Sequence, residues 1–506
     1  MNRCFPDGTR RMKLFRPGQS WSQKVVHAGF WSFAFHWAEH LFMLCRILVL
    51  AALLSPRDFG LFGMAMLTML TLNTLSATGF ESALIHKKEE ITPYLEVAWT
   101  VRIVRGLALA VLFFGIAPGV AAFFDEPAAM PLMRVLSFSF VLQGLTNTGV
   151  VDFQKKLEFH KEFAFRLSGI LVDLVVAVVS AYLLRNAWAF VLGAVAADLT
   201  RLLVSYWIHP FRPHLRFDVK RFKELFDYGM WMLFVDITVF VSHHGASIVI
   251  GKIIGAEALG YFQTANRISS TMITRLGTTV NRVAFPAYAE LQSSVDHLRG
   301  AYKKIAGFSA TLLIPAAVGI ICIGHDFTRI FLGPKWMPMV PALLVLSMAS
   351  LLISMAWTGR PVFMGRGHPQ VVFHMHLAMA GTVLLGIYPL SARWGINGAA
   401  VAMVVSSMSA LAVWYVNIRR QIDITMKDMG FIFAPPLMAS ILMASALHGF
   451  RALTIPLLPG RHLWDILWFV CMLLIGVAIY FILVIVFQRC LPNYQPFKGI
   501  AEAIKE

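Results

Sequence analysis

Leu53-Leu54-Ser55-Pro56-Arg57-Asp58-Phe59-Gly60-Leu61-Phe62 returns later in the chain as Ile253-Ile254-Gly255-Ala256-Glu257-Ala258-Leu259-Gly260-Tyr261-Phe262. The same offset, about 200 residues, lays Gly29 on Gly229, Trp31 on Trp231, Val49 on Val249, Ala65 on Ala265 and Thr78 on Thr278. Apolar residues interchange freely, so matches among them carry little weight. Matched Gly and Trp at one offset mark an internal duplication.

What is duplicated is membrane-spanning. The 506 residues are 58% hydrophobic and 14% charged, with a mean hydropathy of +0.68, well above a soluble domain of ordinary makeup. Crossing the hydrocarbon layer takes about 20 apolar residues per helix. With no water to satisfy backbone groups, helices are favoured over open sheets. Six such runs lie between Val25 and Trp207 and six more between Phe226 and Val416. Two further runs, near Phe431 to Phe450 and Leu463 to Phe487, close the chain. The expected fold is an all-α polytopic membrane protein of about 14 transmembrane helices. Residues 1–24 form a basic tail, 25–215 an N-terminal six-helix lobe, 216–423 a C-terminal six-helix lobe, and 424–506 two additional helices with a tail. An even number of helices per copy leaves both copies in one orientation. They are then related by a pseudo-twofold along the membrane normal, with room for a cavity between the lobes.

The net charge of +17 raises nucleic acid as a partner, but the basic residues sit in short loops between apolar runs and not on one soluble module. They fit the bias of Lys and Arg toward cytoplasmic loops instead. Lys87 and Lys88, Lys155, Lys156 and Lys161, Lys303 and Lys304, and Arg419 and Arg420 all fall on the side of the N-terminal tail. Both termini are therefore expected in the cytoplasm, and no cleavable signal peptide is visible. Five scattered cysteines suggest neither a disulfide framework nor a metal site, and no cofactor is expected.

The duplicated turn, the stretch Phe153-Gln154-Lys155-Lys156-Leu157-Glu158-Phe159 and the later Phe285-Pro286 resemble the polysaccharide transporter family, which includes the Wzx flippases. That family belongs to the multidrug/oligosaccharidyl-lipid/polysaccharide exporter superfamily, and the similarity runs from about Gly29 to Val416. The resemblance implies two lobes in a V in the bacterial inner membrane. It also implies movement of an undecaprenyl-diphosphate-linked oligosaccharide from the cytoplasmic to the periplasmic leaflet, driven by an ion gradient. Membrane lipids are partners by this implication, and polysaccharide polymerase and export machinery are candidate ones.

Ionisable residues inside a membrane are functional candidates by default. Arg267, Thr271, Arg275, Thr278 and Arg282 recur at spacings of three and four, forming one polar stripe on a helix. Thr68, Thr71, Asn73 and Thr74 on its counterpart are also polar, so both helices are expected to line the cavity. Guanidinium groups stay charged and hold phosphate oxygens bidentately, which makes Arg267, Arg275 and Arg46 candidates for a lipid diphosphate. The competing reading pairs them with carboxylates or sends them to an interface. Asp236 and His243, seven apart on one face, and Glu39, seven before Arg46, are candidates for ion coupling. The structural alternative pairs Glu39 with Arg46. Asp198 with Arg201, and Arg166 with Asp173, read as internal pairs.

Two other functions fit less well. A drug or metabolite-cation antiporter of the same superfamily would want acidic cavity residues, whereas the spans carry more Arg than carboxylate. A membrane glycosyltransferase or polymerase would need acid/base or metal-binding groups on a sizeable loop. The stretch Gly324 to Met339 offers only His325 and Asp326, so no catalytic residue is assigned.

Overall fold

The computed structural model describes residues 38–39, 41–77, 80, 92–156, 158–291, 294–454 and 462–490, and among them every regular element is helical. The first lobe holds α1 (Leu41–Leu53), α2 (Pro56–Leu75), α3 (Thr92–Phe123), α4 (Ala129–Leu145), α5 (Phe159–Leu184) and α6 (Trp188–Ile208). The second holds α7 (Val219–Ile253), α8 (Ala256–Glu290), α9 (Val295–Phe327), α10 (Val340–Trp357) and α11 (Gln370–Ile422). Two more, α12 (Met426–Thr454) and α13 (His462–Cys490), complete the chain.

Nine of these are long and apolar enough to cross a membrane by length and composition, and α1, α4, α7 and α8 run beside them. The helix α11 makes two passes. Its backbone reverses at Gly395 (φ 58°), and the Thr382 and Ser409 hydroxyls then meet at 3.2 Å across the hairpin. With that hairpin counted twice, the described helices make fourteen passes.

The duplicated turns meet each other. Ser55 caps α2: its hydroxyl accepts from the Asp58 N–H, the Asp58 carboxylate accepts from the Ser55 N–H at 3.0 Å, and Pro56 occupies the first turn. From there α2 and α8 pack together so tightly that side chains are excluded. A Cβ on Gly60 would lie 1.6 Å from the Ala256 carbonyl oxygen, and one on Gly260 would lie 1.9 Å from that of Pro56. Pro56 and Ala256 are themselves equivalent in the duplication, so the contact is reciprocal, as a twofold requires. One step further in, Gly63 leaves room for the amide of its own counterpart, Gln263.

Around this seam each lobe grips the end of the other's first helix. Lys335 donates to the carbonyls of Ala52 (2.9 Å) and Leu54 (2.7 Å), and Trp336, fully buried, donates from its indole to Ala51 at 2.9 Å. A cation on the last carbonyls of α1 also complements the helix dipole. In the other direction, Lys252 at the end of α7 pairs with Asp125 at 2.8 Å. The lobes are therefore closed at the end carrying these turns, here called the turn end.

The two closing helices attach to the second lobe through α9. Asp428 accepts from Lys303 (2.6 Å) and Arg299 (3.2 Å) near one end of α12. Near the other end Asp326, whose side chain is 1% exposed, pairs with Arg451 at 3.1 Å. Asp326 and His325, the polar pair of the Gly324 to Met339 stretch, thus sit at a helix junction.

Candidate functional site

A cavity of about 780 Å³ lies between the lobes, within the range of small-molecule sites. One side is built by α8, where Gln263, Asn266, Arg267, Ser270, Thr271 and Thr274 repeat at helical spacing and face inward. The turn-end half of the polar stripe thus lines the cavity. The side chains of Arg275, Thr278 and Arg282 lie outside the described residues, as does Thr78.

The counterpart helix behaves differently. What α2 presents to the cavity is apolar: Phe59, Phe62, Met66 and Leu70 among others. Its polar residues are satisfied elsewhere. Thr68 and Thr71 donate to the carbonyls one turn back, at 2.9 and 2.7 Å. Asn73, expected on the wall, is not among its lining residues; it accepts from Arg105 of α3 through both its backbone and amide oxygens at 3.0 Å.

The first lobe supplies charge from α1, α5 and α6. Arg46 lines the cavity, its guanidinium stacked over Phe190 with its centre 5.5 Å from the ring centroid. Its ion-pair partner is Asp173 of α5, with Nε 3.0 Å from Oδ2 and the two side chains 15% and 20% exposed. Arg46 therefore pairs across helices and not with Glu39, and Asp173 does not pair with Arg166, which instead bridges to Glu162 at 2.8 Å. Asp198 and Arg201 of α6 pair at 3.0 Å as expected, and Gln143 of α4 donates to the second oxygen of Asp198 at 3.1 Å. All three also line the cavity, as does Asp173. Internal pairing and a place on the wall are compatible, which reading the pairs as scaffold alone overlooked. The signal available in the sequence was that four ionisable residues fall within two neighbouring spans.

Among the described residues the second lobe contributes one charge, Arg267, which has no ion pair there and lies within electrostatic reach of Arg46 and Asp173. Among the described lining residues three guanidinium groups thus face two carboxylates, a surplus of one positive charge. The rest of its polar character is neutral or imidazole. His243 and His244 line the cavity, and His243 lies 5.8 Å, ring to ring, from His376, whose Nδ1 is 3.3 Å from the Ser242 hydroxyl. Asp236, two turns before His243, is half-buried and not on the wall; Glu39, near the described start of α1, is also half-buried and off it.

Helical lobes related by a pseudo-twofold and closed at one end over a charged chamber place the chain in the class of polytopic, all-helical membrane proteins. The chain belongs to a family described as polysaccharide biosynthesis protein, whose model matches residues 49–341. It is 26% identical over 321 residues to the lipopolysaccharide biosynthesis protein WzxC of Escherichia coli (strain K12), covering 63% of this chain and 65% of that one. It is 23% identical over 298 residues to the teichuronic acid biosynthesis protein TuaB of Bacillus subtilis (strain 168), covering 58% and 62%. These matches thus span a little under two thirds of either relative. In fold it is similar to the lipid II flippase MurJ in an inward closed conformation, with a TM-score of 0.74 at 15% identity over 92% of this chain and 99% of that one.

Proposed function

We propose that this protein is a flippase that carries an undecaprenyl-diphosphate-linked oligosaccharide from the cytoplasmic to the periplasmic leaflet of the bacterial inner membrane. The observation that carries this reading is the meeting of Arg46 and Arg267, from opposite lobes, on one wall with a positive surplus. A diphosphate is a dianionic, many-acceptor group, and two guanidiniums converging from separate lobes can hold it bidentately where water is scarce. Family membership supports a role in polysaccharide biosynthesis, and the MurJ likeness supports the fold that such movement needs.

In this reading Arg46 and Arg267 bind the diphosphate, Arg275 extends the site along α8, and Thr271 and its neighbours bond the first sugars. With the N-terminus cytoplasmic, the turn end faces the periplasm, and its seam keeps that exit shut while cargo enters from the other side. Rocking of the lobes then parts the seam, with Asp236, His243 and Glu39 as candidates to couple that motion to an ion gradient. Bonds are neither made nor broken. The surplus of positive charge also weighs against a cationic drug as cargo.

Proteoliposomes loaded with a fluorescent short-chain prenyl-diphosphate-linked N-acetylglucosamine test this. Wild type moves the probe between leaflets, and Arg46→Ala with Arg267→Ala abolishes the movement in protein that still folds. Undiminished movement in the double variant removes the site.

A further inference from the structure

The two acid–arginine pairs on the first lobe's wall are built to different standards. Asp198 is saturated: one oxygen accepts from Arg201 and the other from Gln143. Asp173 is not. It touches Arg46 through a single oxygen, the Arg46 Nε makes no well-directed hydrogen bond, and the second oxygen, Oδ1, has no hydrogen-bond partner among the described residues. That second oxygen is seated against Gly193 of α6, where a Cβ would come within 2.6 Å of it. Charged groups facing Asp173 are Arg46 from α1, Asp198 and Arg201 from α6, and Arg267 from α8.

We infer that Asp173 is an internal counter-anion, occupying Arg46 when the cavity is empty and yielding it when a diphosphate arrives. This rests on the cargo reading above and adds to it. A guanidinium this enclosed is costly to leave uncompensated, so an empty carrier needs an anion of its own to return through its closed state. A one-point pair is easily exchanged for a diphosphate that offers oxygens to both arms of the guanidinium. The saturated Asp198 has no such freedom, and it holds Arg201 in place whether or not cargo is present.

The exchange predicts a split that simple loss of structure cannot produce. Asp173→Asn removes the competing anion, so purified protein binds the prenyl-diphosphate-linked N-acetylglucosamine probe about tenfold tighter. In proteoliposomes holding the probe on both sides, exchange stays within about threefold of wild type, because neither direction requires an empty return. Net movement from one side falls by about tenfold or more, and Asp173→Glu restores it. Gly193→Ala, which crowds the carboxylate without removing it, shifts affinity in the same direction by a smaller factor. Equal binding by wild type and Asp173→Asn overturns the proposal, and so does a parallel fall of exchange and net movement. If Arg267→Ala leaves probe binding unchanged, the cargo reading fails and takes this one with it. A full effect of Arg267→Ala beside a silent Asp173→Asn removes the exchange alone.

Discussion

The two lobes descend from one sequence pattern, yet they spend their charges in different places. In the first lobe the ion pairs Arg46 with Asp173 and Arg201 with Asp198 stand on the cavity wall. In the second, Asp326 with Arg451, and Asp428 with Arg299 and Lys303, lie away from the cavity and fasten α12 to α9. Among the described residues, Arg267 alone brings a charge from that side to the chamber. Symmetry survives where backbones must touch, at the reciprocal glycines, and is lost where side chains line the cavity or meet extra helices. The reason is physical: a helix crossing tolerates only small residues at its closest point, whereas a wall accepts any side chain whose charge is compensated.

The largest expected effect comes from stripping the shared wall. Arg46→Ala with Arg267→Ala lowers probe transport about a thousandfold, with little change in detergent-phase melting; a drop in melting of the same order as in Arg451→Ala would assign these arginines to scaffold. Arg451→Ala does the opposite. It leaves Asp326 buried without its main partner, destabilises the second lobe by about 3 kcal/mol, and changes probe affinity by less than about twofold. Equal losses of stability and affinity would erase the contrast between lobes.

The seam sharpens the symmetric part of the comparison. Gly60→Ala and Gly260→Ala each push a methyl into a backbone carbonyl, at 1.6 and 1.9 Å, and each costs the closed turn end about 2 kcal/mol. Cysteine pairs placed across the seam report closure by cross-linking. A large effect from one glycine and none from the other would deny the reciprocity.

The smallest effect is a pH dependence confined to the first lobe. His209, just past α6, is held below the usual imidazole range by burial, partly offset by Asp152. Its Nδ1 accepts from the Phe211 N–H at 3.1 Å, which requires that nitrogen unprotonated. A folded pKa below the unfolded one means the unfolded chain binds more protons. The stabilisation is therefore complete above about pH 6.5 and fades as pH falls through that value. Melting of the wild type between pH 7.5 and 5.5 should lose less than about 1 kcal/mol, and His209→Asn should flatten that loss. An unchanged slope in the variant places the titration elsewhere.

Much of this architecture was legible in the amino-acid order. Apolar runs long enough to span hydrocarbon can do little but form helices, because no other open structure satisfies its own backbone there. The match of Gly60 with Gly260 announced the duplication, and the three-four spacing through Arg267 and Thr271 marked one inward face of α8; that the two glycines touch emerged only from the packing. Partner choice was another matter. Arg46 had Glu39 within reach along its own helix and took Asp173 from another; Arg166 had Asp173 two turns on and took Glu162. On α2 the polar face suggested by Thr68, Thr71 and Asn73 is bonded to its own backbone and to Arg105, leaving Phe59 and Phe62 to the cavity. Periodicity settles which residues share a side of one helix, since that follows from local geometry. Which neighbour that side meets depends on how helices far apart in the chain pack, and no short-range pattern carries that information.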